Sequence, residues 1–119
     1  MLKKAPVTYL GTETRIEGVF WAKGKVRLDG EVRGSVQVEG DLEVGPTGRI
    51  EGERVEAQTL EVHGEVRANV RAQKVVLAKT ARVYGNVVTE VLDIEAGARF
   101  VGQSLAGETP QALPSGQEG

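Results

Sequence analysis

Six copies of one short pattern run through this 119-residue chain, and their period limits the fold more than any other feature of the sequence. The triplets Arg15-Ile16-Glu17, Glu31-Val32-Arg33, Arg49-Ile50-Glu51, Glu65-Val66-Arg67, Arg82-Val83-Tyr84 and Arg99-Phe100-Val101 are each followed by Gly or Ala. Their central apolar residues recur at a mean interval of about 17. Two further apolar pairs lie between successive triplets. One set runs from Phe20/Ala22 to Val87/Thr89 and the other from Val26/Leu28 to Leu92/Ile94. Alternation with period two is the mark of a strand with one buried face. Each repeat therefore holds three short strands, spaced too closely for ordinary hairpins. If the chain turns a corner after each strand, a repeat closes into one triangular coil, and the coils stack in parallel with their inward residues in columns. The expected fold is all-β, a single-domain triangular β-helix (β-solenoid) of about six coils over residues 13–106. At ~4.8 Å per coil the rod is roughly 30 Å long. Residues 1–12 are expected as a flexible N-terminal tail. Residues 107–119, with Pro110 and Pro114 among Gly, Gln and Glu, are expected as a disordered C-terminal tail.

The outward positions form a second, independent pattern. Before each central residue stand Arg15, Glu31, Arg49, Glu65, Arg82 and Arg99, and after it Glu17, Arg33, Glu51, Arg67, Tyr84 and Val101. In-register parallel stacking sets Arg over Glu along both columns. Each such pair adds ~0.2–1 kcal/mol and resists slippage by one coil.

Composition removes most chemistry. Fifteen Lys and Arg against seventeen Asp and Glu give a net charge of −2, without the basic field that dominates nucleic-acid binding. There is no Cys and a single His, which excludes disulfides, thiolate metal sites, Cys nucleophiles and any two-imidazole arrangement. No phosphate-cradling fingerprint or calcium-binding repeat occurs, so no cofactor and no metal are expected. No apolar run approaches the ~18 residues of a membrane span. Lys3 and Lys4 are not followed by the apolar core of a secretory signal, so a cytoplasmic location is expected.

Two enzyme classes share β-helical architecture. A trimeric left-handed β-helix acyltransferase builds its coils in units of six and uses a His base. Here the intervals scatter over 16, 17 and 18, and His63, between Val62 and Gly64, has the parity of an outward surface residue. A carbohydrate-processing β-helix needs carboxylates converging on a groove, whereas Asp29, Asp41 and Asp93 lie near corners of different coils and read as turn residues. A solenoid scaffold that does not polymerise is the third alternative.

The ends of the rod favour self-association. A β-helix leaves an unpaired strand edge at each end, and neither flank carries the pattern of a capping helix. Large apolar residues gather there. The candidate N-terminal contact comprises Arg15, Ile16, Glu17, Phe20 and Trp21, and the candidate C-terminal contact comprises Arg99, Phe100, Val101 and Leu105. Head-to-tail stacking continues the first charge column as Arg82, Arg99, Arg15, with like charges adjacent. A two-fold head-to-head contact centred on Ile16 instead sets Arg15 opposite Glu17 of a second copy.

These repeated [IVF]-x-[GA] corners, the period near 17, the single-domain length and the polar flanks resemble the bactofilins over roughly residues 11 to 106. The resemblance implies a bacterial cytoskeletal protein with a right-handed β-helix. It further implies nucleotide-independent assembly into non-polar filaments at the inner face of the cytoplasmic membrane, where they scaffold morphogenetic or cell-wall factors. It implies no catalysis. The membrane-binding stretch of the family corresponds here to residues 1–10, with Met1, Leu2, Lys3, Lys4, Val7, Tyr9 and Leu10 as the candidate contacts. Each Lys adds about 1 kcal/mol near an anionic leaflet, and a filament presenting many copies turns weak insertion into avidity.

Overall fold

The computed structural model describes residues 7–106, which form one eleven-stranded sheet wound into a solenoid, with no helix among them. The strands are β1 (Val7–Leu10), β2 (Arg15–Lys23), β3 (Lys25–Leu28), β4 (Glu31–Glu39), β5 (Asp41–Val44), β6 (Arg49–Val62), β7 (Glu65–Leu77), β8 (Arg82–Tyr84), β9 (Val87–Ile94), β10 (Arg99–Val101) and β11 (Ser104–Ala106). All pairings are parallel, and each joins a strand to the equivalent strand one coil away. Short Val- and Ile-rich alternation forms these strands because β-branched side chains suit a pleated, half-buried surface.

Three faces result. Face A stacks the triplets in the register expected from the sequence: Arg15, Glu31, Arg49, Glu65, Arg82 and Arg99 are successive partners. Face B stacks Phe20, Val36, Val55, Val70 and Val87. Face C stacks Leu10, Leu28, Val44, Val62, Leu77 and Ile94. Six coils, each running C, A, B, make up the solenoid. It begins earlier than expected. Val7–Leu10 pairs with Lys25–Leu28 and so supplies face C of the first coil, where the sequence placed a tail up to residue 12. The first coil needs a face C strand to close, and this segment provides it. Residues 1–6 and 107–119, the remainder of the two expected tails, lie outside the described residues.

The core is the stack of inward columns. Leu28, Leu42, Leu60 and Leu77 on face C meet Val32, Ile50, Val66 and Val83 on face A, all at most 1–2% exposed. Full burial of each such side chain contributes about 1.5–3 kcal/mol.

The variable period has a local origin. From face C to face A the chain takes a step of four in two coils (Leu28 to Val32, Val62 to Val66) and six in the others. From B to C the step is four where Gly24 or Gly40 turns the corner with positive φ, and three where Gln58, Gln73 or Glu90 does. A bulge at Gly52–Glu53 adds one residue to the third coil. None of these changes moves an inward column off register.

The A–B corner is the tightest. Gly34 has φ +138°, and a Cβ there would stand 1.8 Å from the carbonyl oxygen of Gly18 in the coil before it. Gly18 has φ +118° and open space beside it, because among the described residues no coil precedes its own. Ala at either position incurs backbone strain, and only at Gly34 must it also displace the neighbouring coil. Gly34→Ala should therefore cost at least about 1 kcal/mol more than Gly18→Ala in urea unfolding followed by circular dichroism.

Candidate functional site

Among the described residues, coils with neighbours on both sides carry mostly polar outward residues, and large apolar outward residues gather in the first and last coils. The outward face B column reads Trp21, Gln37, Glu56, Arg71, Val88, Leu105, and the adjacent one begins Val19, Ser35, Arg54, Asn69. Val7, Tyr9, Val19 and Trp21 in the first coil and Val91, Ile94, Val101 and Leu105 in the last are all exposed large apolar residues, and Val88 alone of the described residues is of this kind outside the end coils. Among the described residues the edges are open too: β1 and β2 pair on one side only, as do β10, β11 and residues Val91–Ile94 of β9.

The expected end residues divide into two kinds. Ile16 and Phe20 at one end and Phe100 at the other point inward as the last members of core columns and are partly buried. Arg15, Glu17, Trp21, Arg99, Val101 and Leu105 point outward and are exposed. The Trp21 indole nitrogen donates to Glu39 Oε2 at 3.1 Å, which fixes the ring on face B. Val19, Val91 and Ile94 escaped the sequence reading. Val19 is detectable as an apolar residue in an otherwise polar outward column. Ile94 belongs to a core column and is exposed only because the column stops there.

The candidate membrane segment is divided as well. Met1, Leu2, Lys3 and Lys4 lie outside the described residues. Leu10 packs against the core. Val7 and Tyr9 lie on the outer surface of β1, where hydrogen bonding to the Asp29 carboxylate raises the Tyr9 hydroxyl pKa and the nearby negative charge adds to it. These two side chains belong to the end of the rod.

The charge ladder on face A is built around two carboxylates. Glu31 receives Arg33 Nε at 2.9 Å along its own strand and Arg15 at 3.6 Å from the first coil. Glu65 is bonded by Arg67 along its strand, with Arg49 at 3.9 Å and Arg82 at 3.7 Å from the coils on either side. The stacking expected from the sequence is present, yet the closest pairs lie along the strands. Arg67 also covers the Tyr84 ring at 4.3 Å, so the ladder continues past its last carboxylate as a cation–π contact. Beyond that, Arg82 and Arg99 are direct partners with like charge.

Other polar groups are structural. His63 Nε2 lies 2.7 Å from Glu61 Oε2 and 4.0 Å from Glu43 Oε2. These three residues could together ligate a metal, but Arg27 already engages Glu43 at 3.1 Å and Asp29 at 3.2 Å, which lessens the need for a cation. Asp29 is buried at a corner, as a turn residue should be, whereas Asp93 lies within β9. A shallow open trough along the B–C corner, lined by Gln37, Ala57, Arg71, Val88 and Leu105, contains no imidazole.

A sequence model of a polymer-forming cytoskeletal family, Bactofilin, matches residues 8–105. The chain belongs to the bactofilin family. Bactofilin BacO of Myxococcus xanthus (strain DK1622) is 30% identical over 96 residues, spanning 80% of this chain and 75% of that protein. The cryo-EM reconstruction of Thermus thermophilus bactofilin double helical filaments matches with 63% identity and a TM-score of 0.82, covering 84% of this chain and 99% of that one. A crystal structure of a phenylalanine-to-arginine mutant of Thermus thermophilus bactofilin matches with 59% identity and a TM-score of 0.73, over 76% of this chain and all of that one. Bactofilins are structural cytoskeletal proteins and not enzymes, so the acyltransferase and carbohydrate-processing readings fall away.

Hydrogen bonding from Arg33 and Arg67, reinforced by the neighbouring guanidinium charges, holds the Glu31 and Glu65 carboxyls below the ordinary 4.5. A carboxylate with a lowered folded pKa contributes stability above its unfolded value and loses it as pH falls through the folded one. Thermal melts taken below pH 4.5 should show a loss of stability that Glu65→Gln reduces, because the variant has already lost that contribution at neutral pH.

Proposed function

We propose that this bactofilin assembles end to end, without nucleotide, into non-polar filaments that lie against the inner face of the cytoplasmic membrane and scaffold morphogenetic or cell-wall factors. The observation that carries the reading is that, among the described residues, exposed large apolar side chains are confined almost entirely to the first and last coils, beside strand edges that have no partner there. Such an edge is a template for another copy.

Charge argues for a non-polar chain of copies. Directional stacking places Arg15 over Arg99, which already stands over Arg82. A head-to-head contact centred on Ile16 pairs Arg15 with Glu17 of the second copy, twice by symmetry. The last coil then meets its own kind through Phe100, Val101 and Leu105. Phe100→Arg should place a charge where the core column of one copy meets that of the next. Size-exclusion chromatography with light scattering should show dimers joined through the first coil, and electron microscopy of the wild type in nucleotide-free buffer should show filaments. Filaments from the variant would refute the C-terminal contact.

Membrane association rests on Met1, Leu2, Lys3 and Lys4, with filament avidity multiplying a weak single contact by roughly 10²–10⁴. Deletion of residues 1–6 spares β1 and should abolish co-sedimentation of preformed filaments with anionic liposomes. Unchanged binding would transfer the anchor elsewhere.

A further inference from the structure

The end of a solenoid is not flat. It is a one-turn ramp that closes with a step one strand spacing high, and the position of the step limits how two ends can meet. At the first coil the ramp runs from β1 on face C through β2 on faces A and B, so the step falls at the B–C corner. At the last coil it runs from Val91–Ile94 on face C through β10 on face A to β11 on face B, and the step falls at the same corner. A two-fold axis perpendicular to the rod can map only one face onto itself and must exchange the other two. The two ramps close without a gap only when the axis passes through the face opposite the step. Any other axis leaves the faces out of contact by one strand spacing, or overlapping by as much.

Resting on the end-to-end reading above, the geometry points to end contacts in which face A lies on the two-fold axis and face B of each copy pairs antiparallel with face C of the other. The chemistry of the first coil agrees independently. With face A on the axis, Arg15 meets Glu17 of the second copy. Counted from the step corner, Lys23 is the last outward residue of face B and Val7 the first of face C. Setting these opposite each other brings Trp21 against Tyr9 of the second copy outside, and Phe20 against its Leu10 inside. Arg15 thus meets an opposite charge, Trp21 an aromatic ring and Phe20 another inward residue, while Lys23 and Val7 at the step corner are an unlike pair. With face B or face C on the axis instead, Arg15 and Glu17 would abut the apolar outer residues of β1 or β2. At the last coil the same rule sets Phe100 against its own copy and face B, which carries Leu105 in the column of Trp21, against face C, which carries Asp93 in the column of Tyr9 with Val91 beside it. Because both axes cross face A, that charged face lies on one side of the filament in every copy.

The chain has no cysteine, so introduced thiols report without background. Tyr9→Cys and Trp21→Cys proteins are prepared singly and as a co-assembled mixture, then treated with a short bismaleimide, with Gln37→Cys as a mid-rod control. Filaments are scored in every sample by electron microscopy. The expected result is a cross-linked dimer from the mixture and none from either protein alone, with the same outcome for Val91→Cys and Leu105→Cys. Filaments in which Trp21→Cys or Leu105→Cys cross-links to itself would put face B on the axis and overturn the assignment, while leaving end-to-end assembly intact. Filaments whose mixture fails to cross-link would overturn it equally. Absence of filaments from all variants and the wild type would overturn the end-to-end reading itself.

Discussion

Each coil of this protein must lie one strand spacing from the next at every point of its perimeter, corners included, and the rest of the structure follows from meeting that condition. Along the faces, parallel hydrogen bonding between equivalent strands sets the spacing. At the A–B corner the backbone of one coil touches the carbonyl of the coil before it, and a side-chain carbon has no room at Gly34, Gly52 or Gly102, where it would stand within 2 Å of that oxygen. A column of small residues, glycine except for Ala68 beside the bulge, therefore allows the valine columns beside it to close into a dry core.

Tolerance appears where the spacing is not at stake. Turns from face C to face A differ by two residues among coils, and a bulge at Gly52–Glu53 adds another, because these changes extend outward in the plane of the coil. Thr47 and Thr80 hydroxyls donate to the backbone oxygens of Asp29 and His63 in the preceding coils, tying the longer turns to their neighbours. The face A ladder adds specificity of register more than stability. Its residues are largely exposed, and exposed ion pairs contribute little, but a one-coil slip would set Arg against Arg along the column.

A solenoid built this way has no intrinsic stop. Each interior coil covers the apolar edge of the one before it, so among the described residues the first and last coils have uncovered edges, and exposed large apolar residues gather there. In the proposed assembly, function in this bactofilin arises from where the stack stops and what its edges expose. His63, the single imidazole, is engaged by Glu61 and Glu43 beside the Arg27 network and takes part in the same surface polar packing as the other corner residues.

The fold class, the number of coils, the charge ladder and most of the inward columns were legible in the sequence, because each depends only on spacing along the chain and a repeat displays its spacing six times over. Ile16, Phe20, Phe100 and Leu105 were placed at the ends for the same reason. The structure decided matters of closure. Val7–Leu10 reads as a tail, since its single copy of the period lacks the Arg or Glu triplet, and is a strand in the structure because it pairs with Lys25–Leu28 and supplies face C of the first coil. That changes the setting of Tyr9 from a tail to the rim of the rod. Val19, Val91 and Ile94 join the ends only when the columns containing them are seen to terminate, and the position of the step at the B–C corner emerges only when six coils of unequal length are wound into one helix. Spacing is a local property that a sequence states directly; which edge remains uncovered is a property of the whole stack.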